Sequence, residues 1–342
     1  MKVLFQARPD CLKNPAGDTV QLVYTAQALK KLGVEIDFSA DSNALLTSYN
    51  LIHIFNLTRI KESYMFFLNA QKQKKKVVIS PIYWNPEKYL ARKEGKRRDV
   101  ETWRFYQHMR SRLSSECNLL LPNSESEMEN LKKDFPNSAP YEVVPNGFPD
   151  SFKNANPELF HESFPNLPQE FVLCVARIAP RKNQHWLARI CSELNIPLVL
   201  VGPINNKTYY QEVMSHPRAI HLGTLQGELL ASAYAAAKLH ALPSWFETPG
   251  LSSLEAGACG TTVLSTDQGS PKEYFKDMAA YCHPVDDTSL RTSLEKALNL
   301  NPAPLTEHIR ENYPWSKVGE ITLRAYENVL NIAHTARGTF AK

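Results

Sequence analysis

Short runs of apolar residues punctuate the chain, and most lack the in-and-out alternation of a half-exposed strand. They fall at residues 2–6, 51–55, 77–80, 119–121, 171–175, 197–201, 219–222, 239–242 and 262–265. Continuous apolar strands of this length are those of parallel sheets, covered on both faces. Helical spacing fills several intervals: 19–32, closed by Gly33, then 124–135, a stretch after Asn183 up to 194, 229–237 and 317–333. A further strand at 34–38 completes a strand, loop, helix, strand unit at the start. Ser124 and Glu127 stand at the spacing of a capping box. Residues 141–144 read as a strand leading to a turn at 145–147, and 268–273 as a loop. Residues 150–170 carry several Pro and Asn without a clear period and read as a linker. The pattern is α/β in two domains: 1–150, a linker at 151–170, a second domain at 171–316, and a final helix within 317–342.

Composition narrows the class. A chain of 342 residues can build two cores of ordinary size. No apolar run is long enough to cross a bilayer, and the apolar part of the opening residues is too short for a signal peptide. The six cysteines are scattered, with no Cys-x-x-Cys pair, which implies a reduced, cytoplasmic setting. No Gly-x-Gly-x-x-Gly occurs, which weighs against a dehydrogenase. Residues 1–150 carry 22 Lys and Arg against 17 Asp and Glu, and the remainder 17 against 18. That excess favours an anionic partner for the first half without naming nucleic acid, which is not expected as a partner.

Candidate chemistry collects between Ser244 and Gly260. Glu247 lies in a loop just after the run at 239–242. Pro249 and Gly250 mark a helix start, and Glu255 falls four residues after Leu251, on or beside the apolar stripe. Amide donors and the dipole at that start favour an anion. Pro249 has no N–H, so the donors there are Gly250 and Leu251. Either carboxylate alone reads more simply as a solvated side chain; the whole string does not. Arg177 and Lys182 occupy the loop after the run at 171–175, where a ligand meets the carboxyl edge of a parallel sheet. Gly17 precedes the first helix, with Asp18 as its expected N-cap.

Glu247 and Glu255 stand with seven residues between them inside Pro-Ser-x-x-Glu-x-x-Gly-Leu-x-x-Leu-Glu-Ala-x-Ala-x-Gly, starting at Pro243. This string resembles the signature of the retaining GT-B glycosyltransferases of family 4, the glycosyl transferases group 1. Arg177 and Lys182, five apart, and the Val-Pro-Asn-Gly-Phe string at 144–148 resemble the same family. The resemblance implies a GT-B fold, two Rossmann-like domains facing a central cleft, with the last helix crossing back to the first domain. It implies transfer of a sugar from a nucleoside diphosphate sugar to a glycan or lipid-linked acceptor, as in surface polysaccharide assembly. Arg177, Lys182, Gly17, Gly250 and Leu251 would hold the diphosphate, Glu255 the ribose, and Glu247 the transferred sugar. Arg181 competes with Lys182 for its role, and spacing favours Lys182. No cofactor or metal is expected, since no Asp-x-Asp is present.

His53, inside the run at 51–55, reads first as a satisfied core residue, with the cleft as the alternative, and Tyr83 and Glu273 are further candidates to border the cleft. A His follows the run at 77–80 in many relatives; here Tyr83 and Trp84 stand instead. From Lys88 to Arg112, Arg92, Lys93, Lys96, Arg97, Arg98, Arg104 and Arg110 interleave with Tyr89, Trp103, Phe105 and Tyr106. This segment reads either as a solvated helix face or as a peripheral contact with an anionic membrane at its inner face. The other functional readings are a GT-B epimerase or phosphorylase, or an inactive nucleotide-sugar-binding protein.

Overall fold

A computed structural model describes residues 1–331 apart from 12, 14, 15 and 93–96. The chain divides into two units, residues 1–145 with the segment from Trp315 onward, and residues 146–314.

The first unit contains β1 (Lys2–Gln6), α1 (Gly17–Lys31), β2 (Glu35–Phe38), β3 (Leu51–Phe55), α2 (Ile60–Lys72), β4 (Lys76–Ser80), α3 (Glu87–Ala91), α4 (Arg97–Phe105), α5 (Gln107–Glu116), β5 (Leu119–Leu120) and α6 (Glu125–Asp134). Its strands form one parallel sheet in the order β2-β1-β3-β4-β5. Every residue of β3 is buried, His53 included, as a strand covered on both faces requires. Ile52, Ile54, Val77 and Ile79 pack with Phe66 and Phe67 of α2. Ser124 caps α6, its Oγ accepting from Glu127 N at 2.9 Å. The Glu127 carboxylate turns instead to the amides of Asn123 and Tyr83, at 2.6 and 2.7 Å. Of the strand expected at 141–144, only a bridge between Leu120 and Tyr141 forms.

The second unit holds α7 (Pro157–Ser163), β6 (Val172–Val175), α8 (Gln184–Glu193), β7 (Leu198–Val201), α9 (Lys207–Met214), β8 (Ala219–His221), α10 (Gly227–Ala236), β9 (Leu239–Leu242), α11 (Leu251–Ala258), β10 (Thr262–Thr266), α12 (Pro271–Phe275), β11 (Ala280–Cys282), α13 (Asp287–Leu298) and α14 (Ala303–Asn312). All six strands are parallel, in the order β11-β10-β9-β6-β7-β8. The connection from β6 runs outward to β7, whereas β9 lies on the other side of β6. The strand order therefore reverses between β6 and β9, and the loops leaving their carboxyl ends diverge to open a crevice.

Residues 150–170 are not a linker. Residues 150–154 form a 3₁₀ turn, and α7 packs on α10. Phe152, Phe160 and Phe171 are buried together, and the Ser232 hydroxyl donates to the Asn156 carbonyl. The aromatic anchors bind this stretch to the second core, so the unit starts at Asn146. The loop expected at 268–273 ends at Ser270, and α12 starts with Pro271 at its first position.

The final helix, α15 (Trp315–Leu330), belongs to the first unit and packs against α1. Trp315 stacks on Tyr24 with centroids 5.6 Å apart. An added Cβ at Gly319 would stand 2.7 Å from Ala28 Cβ, so only glycine admits this approach. The part of the expected final helix at 332–342 lies outside the described residues. Among the described residues no helix is long and apolar enough to cross a membrane.

Candidate active site in the second unit

The crevice between β6 and β9 brings two cationic and acidic loops together. The first, residues 176–183, leaves β6 through Arg177, a turn at Pro180–Lys182, and Asn183 in the left-handed region (φ 61°). Gln184 at the start of α8 steadies it, its Nε2 donating to the Arg177 carbonyl at 2.8 Å. The second loop, 243–250, leaves β9 and ends where Gly250 and Leu251 open α11.

Glu247 sits at their junction, only 7% exposed. Its carboxylate forms an ion pair with Lys182, whose side chain is also largely buried. Burial pushes the Glu247 carboxyl up, but the charges of Lys182 and Arg181 outweigh it and hold the pKa below the usual value. Glu247 is therefore ionised at neutral pH. Burial lowers the Lys182 pKa in turn, against the pull of Glu247. Arg181 braces the same loop: its Nη1 donates to the Phe246 carbonyl at 2.9 Å, and its own carbonyl accepts from Trp245 N at 2.9 Å. Arg181 and Lys182 thus divide the work, one holding backbone and the other holding the carboxylate.

A third loop, after β10, closes the frame. Glu247 N donates to the Gln268 carbonyl, and the Glu247 carbonyl accepts from Ser270 N at 3.0 Å. Gly269 (φ 93°) lies beside that carbonyl, where an added Cβ would fall 2.1 Å from the oxygen. Below the loops, burial pushes His240 of β9 down to about 3, so its ring is neutral.

Glu255 lies on α11, half-buried, where the Tyr234 hydroxyl donates to Oε2 at 2.9 Å. Burial raises its pKa to about 7, against the pull of that hydrogen bond. Leu254 and Ala258 face the core as the helical stripe predicts, while Leu251 remains half-exposed.

The structure brings Glu247, Lys182, Gly250 and Leu251 into one framework, with Arg177 on the same loop as Lys182. Glu273 stands exposed on α12. Gly17 opens α1 in the first unit, and Ala16, not Asp18, is the N-cap. Asp18 turns instead to Arg8, whose Nε lies 2.9 Å from its Oδ2. Two expected positions are core residues. His53 is 1% exposed, with Nδ1 2.6 Å from the Tyr326 hydroxyl and Nε2 2.9 Å from Ser80 Oγ. Burial pushes its pKa to about 3, so it neither borders a ligand site nor titrates near neutrality. Tyr83 is fully buried against Trp103 and Phe135, its hydroxyl bonded to Asp134. Burial first, and then Asp134, raise its pKa, so it supplies no proton. Tyr234 and Arg181 are the partners that pattern reading does not assign, because each acts across 21 or 65 residues of sequence. Among the described residues no group of three His, Cys, Asp or Glu is placed to hold a metal ion.

This geometry coincides with a family match. Residues 156–314, nearly all of the second unit, match the family described as glycosyl transferases group 1. The second unit belongs to the glycosyl transferases group 1 family. A GDP-mannose-dependent alpha-mannosyltransferase of Mycolicibacterium smegmatis is 32% identical over 137 residues, 40% of this chain and 34% of the relative. The alignments with the first curated relatives span 27% to 45% of those proteins' lengths. Among solved structures, sucrose-phosphate synthase from Thermosynechococcus elongatus superposes with a TM-score of 0.81 at 18% identity, covering 97% of this chain and 100% of the other. Anabaena HepE in complex with UDP and glucose gives 0.73 at 16%, covering 96% and 100%. Two parallel-sheet α/β units of this kind constitute the GT-B glycosyltransferase fold.

Proposed function

We propose that this chain transfers a sugar from a nucleoside diphosphate sugar to a glycan or lipid-linked acceptor, with retention at the anomeric carbon and without a metal ion. The observation that carries the reading is the buried Lys182–Glu247 pair beside the start of α11, with Glu255 on the same helix. The relatives' printed names support the donor class: one depends on GDP-mannose, and another was solved with UDP and glucose.

Breaking the donor bond leaves positive character on the sugar and added negative charge on the diphosphate. Arg177, Lys182 and the amides of Gly250 and Leu251 meet the diphosphate. Fixed donors of this kind contribute about 2.7–4 kcal/mol each in a site without water. Lys182 and Glu247 neutralise one another. Donor binding gives each a new partner, phosphate oxygens for Lys182 and sugar hydroxyls for Glu247. Glu255 accepts from the ribose. The acceptor attacks from the face the diphosphate leaves, a phosphate oxygen taking its proton, so no protein nucleophile is needed. The acceptor is a growing glycan, and the first unit makes peripheral contact with anionic membrane.

A thermal-shift panel of nucleotide sugars, including GDP-mannose and UDP-glucose, followed by a hydrolysis assay with and without EDTA, tests the reading. The expected result is one stabilising donor with turnover that survives chelation. Glu247→Gln should lower that turnover at least about a hundredfold while the nucleoside diphosphate still binds. Near-normal turnover of Glu247→Gln would remove the site assignment.

A further inference from the structure

The Glu255 carboxylate has an unusual setting for a half-buried acid. Among the described residues no Lys or Arg forms an ion pair with it, and the Tyr234 hydroxyl is its hydrogen-bond donor. The nearby cations act elsewhere. Lys182 pairs with Glu247, Arg181 holds the Phe246 carbonyl, and Arg310 of α14 donates to the carbonyls of Ala258 and Lys153. Cys259, one turn along α11, has its thiol pushed up to about 12 by burial and then by Glu255, so it stays neutral.

Tyr234 is itself fixed. Its ring is fully buried, edge-on to His240 at 5.6 Å and tilted against Phe152 at 6.2 Å. Its carbonyl accepts from the Thr261 hydroxyl at 2.5 Å, which ties the end of α10 to the turn after α11. The hydroxyl therefore approaches Glu255 from one direction only.

We propose that Tyr234 is a positioning residue for nucleotide recognition: it occupies Oε2 of Glu255, leaves Oε1 for the ribose hydroxyls, and favours the ionised carboxylate. The proposal rests on the ribose role given to Glu255 above. A hydrogen bond donated to a carboxylate stabilises its charged form, whereas burial stabilises the neutral acid. The two oppose each other here, and burial wins by enough to bring the group to about 7. Ribose hydroxyls donate, so they bind the ionised form better. Nucleotide affinity consequently rises as pH climbs through about 7 and falls below it.

Tyr234→Phe retains the ring and its packing and deletes only the donor. The first measurement is the titration of Glu255, followed through the carboxyl carbon in protein labelled at glutamate and assigned with Glu255→Gln. Its midpoint should move up by about one pH unit in Tyr234→Phe. The second is calorimetry with UDP and GDP from about pH 6 to 9. The variant should bind about fivefold more weakly at pH 7 and about tenfold more weakly near pH 6, and converge on the parent protein at high pH, while Glu255→Gln binds weakly without pH dependence. An unchanged midpoint, or a loss equal at every pH, overturns the proposal. A parent protein that binds neither nucleotide overturns the ribose role of Glu255, and the carboxyl titration still decides whether Tyr234 sets its charge.

Discussion

At the scale of single residues, the Lys182–Glu247 pair carries the proposed chemistry and bears on stability. Each charge is withdrawn from water and matched by the other, with Arg181 adding to the positive field on Glu247. Removing one partner from such a pair leaves an uncompensated charge, a loss of about 3 kcal/mol or more, whereas replacing both by apolar residues is often neutral. Lys182→Met should therefore destabilise the protein by about 3 kcal/mol. The double variant Lys182→Met/Glu247→Leu should recover most of that loss while remaining inactive. Urea denaturation of the two singles and the double gives the coupling; simple additivity would show that the pair does not interact in solution. His53 and Tyr83 teach the complementary lesson. Tyr83 stands just past the end of β4, where ligand-binding residues of parallel sheets cluster, and His53 lies in the middle of β3, yet sequence does not tell which way a side chain turns. His53 finds Ser80 and Tyr326, and Tyr83 finds Asp134, so each is satisfied within the core.

At the scale of elements, the strands were the legible part. β3, β4, β6, β7 and β9 are largely apolar because both faces are covered, with His53 inside β3, His240 inside β9 and Lys76 and Ser80 at the ends of β4, and their positions agree with the runs in the sequence to within one residue. Short helices were harder to see. In α7 the signals are present, Asn156 capping and Pro157 at the first position, but seven residues are too few to show a period. The site loops were legible through the spacing of Glu247 and Glu255 and of Arg177 and Lys182. What braces them was not: Arg181 to Phe246, Gln268 and Ser270 to Glu247, and Tyr234 to Glu255 are all tertiary. Gly269 is the clearest single dependency among these. Its positive φ and the Glu247 carbonyl lying where a Cβ would go leave no room for alanine. Gly269→Ala should cost about 1–3 kcal/mol and displace the Glu247 loop. The expected signature is reduced donor turnover with smaller loss of nucleoside diphosphate affinity, since Glu255 lies on α11 outside the bridge. Unchanged stability and turnover would show that this loop tolerates the shift.

At the scale of the whole molecule, the donor-side residues are concentrated in the second unit, and the first carries the excess of positive charge in its sequence. Within residues 88–112 part of that charge is already engaged. Arg110 is 2% exposed, lies 3.4 Å from the Trp103 ring centroid, and donates to the carbonyls of Leu57 and Trp103. Arg104 pairs with Glu87, and Arg112 with Glu116. Lys93 and Lys96 lie outside the described residues. Phe105, 68% exposed, stands beside Arg104 on α4, and Lys88 and Arg98 are exposed on α3 and α4. An aromatic beside cations suits the boundary of an anionic bilayer, where each Lys or Arg adds about 1 kcal/mol and the attraction decays within a Debye length. With Arg104, Arg110 and Arg112 engaged, the contact should be weak and salt-sensitive. Flotation should recover the protein with anionic vesicles at low salt, lose it at high salt, and leave it behind with neutral vesicles. Phe105→Ser should reduce recovery without changing donor binding. Flotation that ignores lipid charge, or fails throughout, would make residues 88–112 an ordinary charged face and move the search for the acceptor to water-soluble glycans.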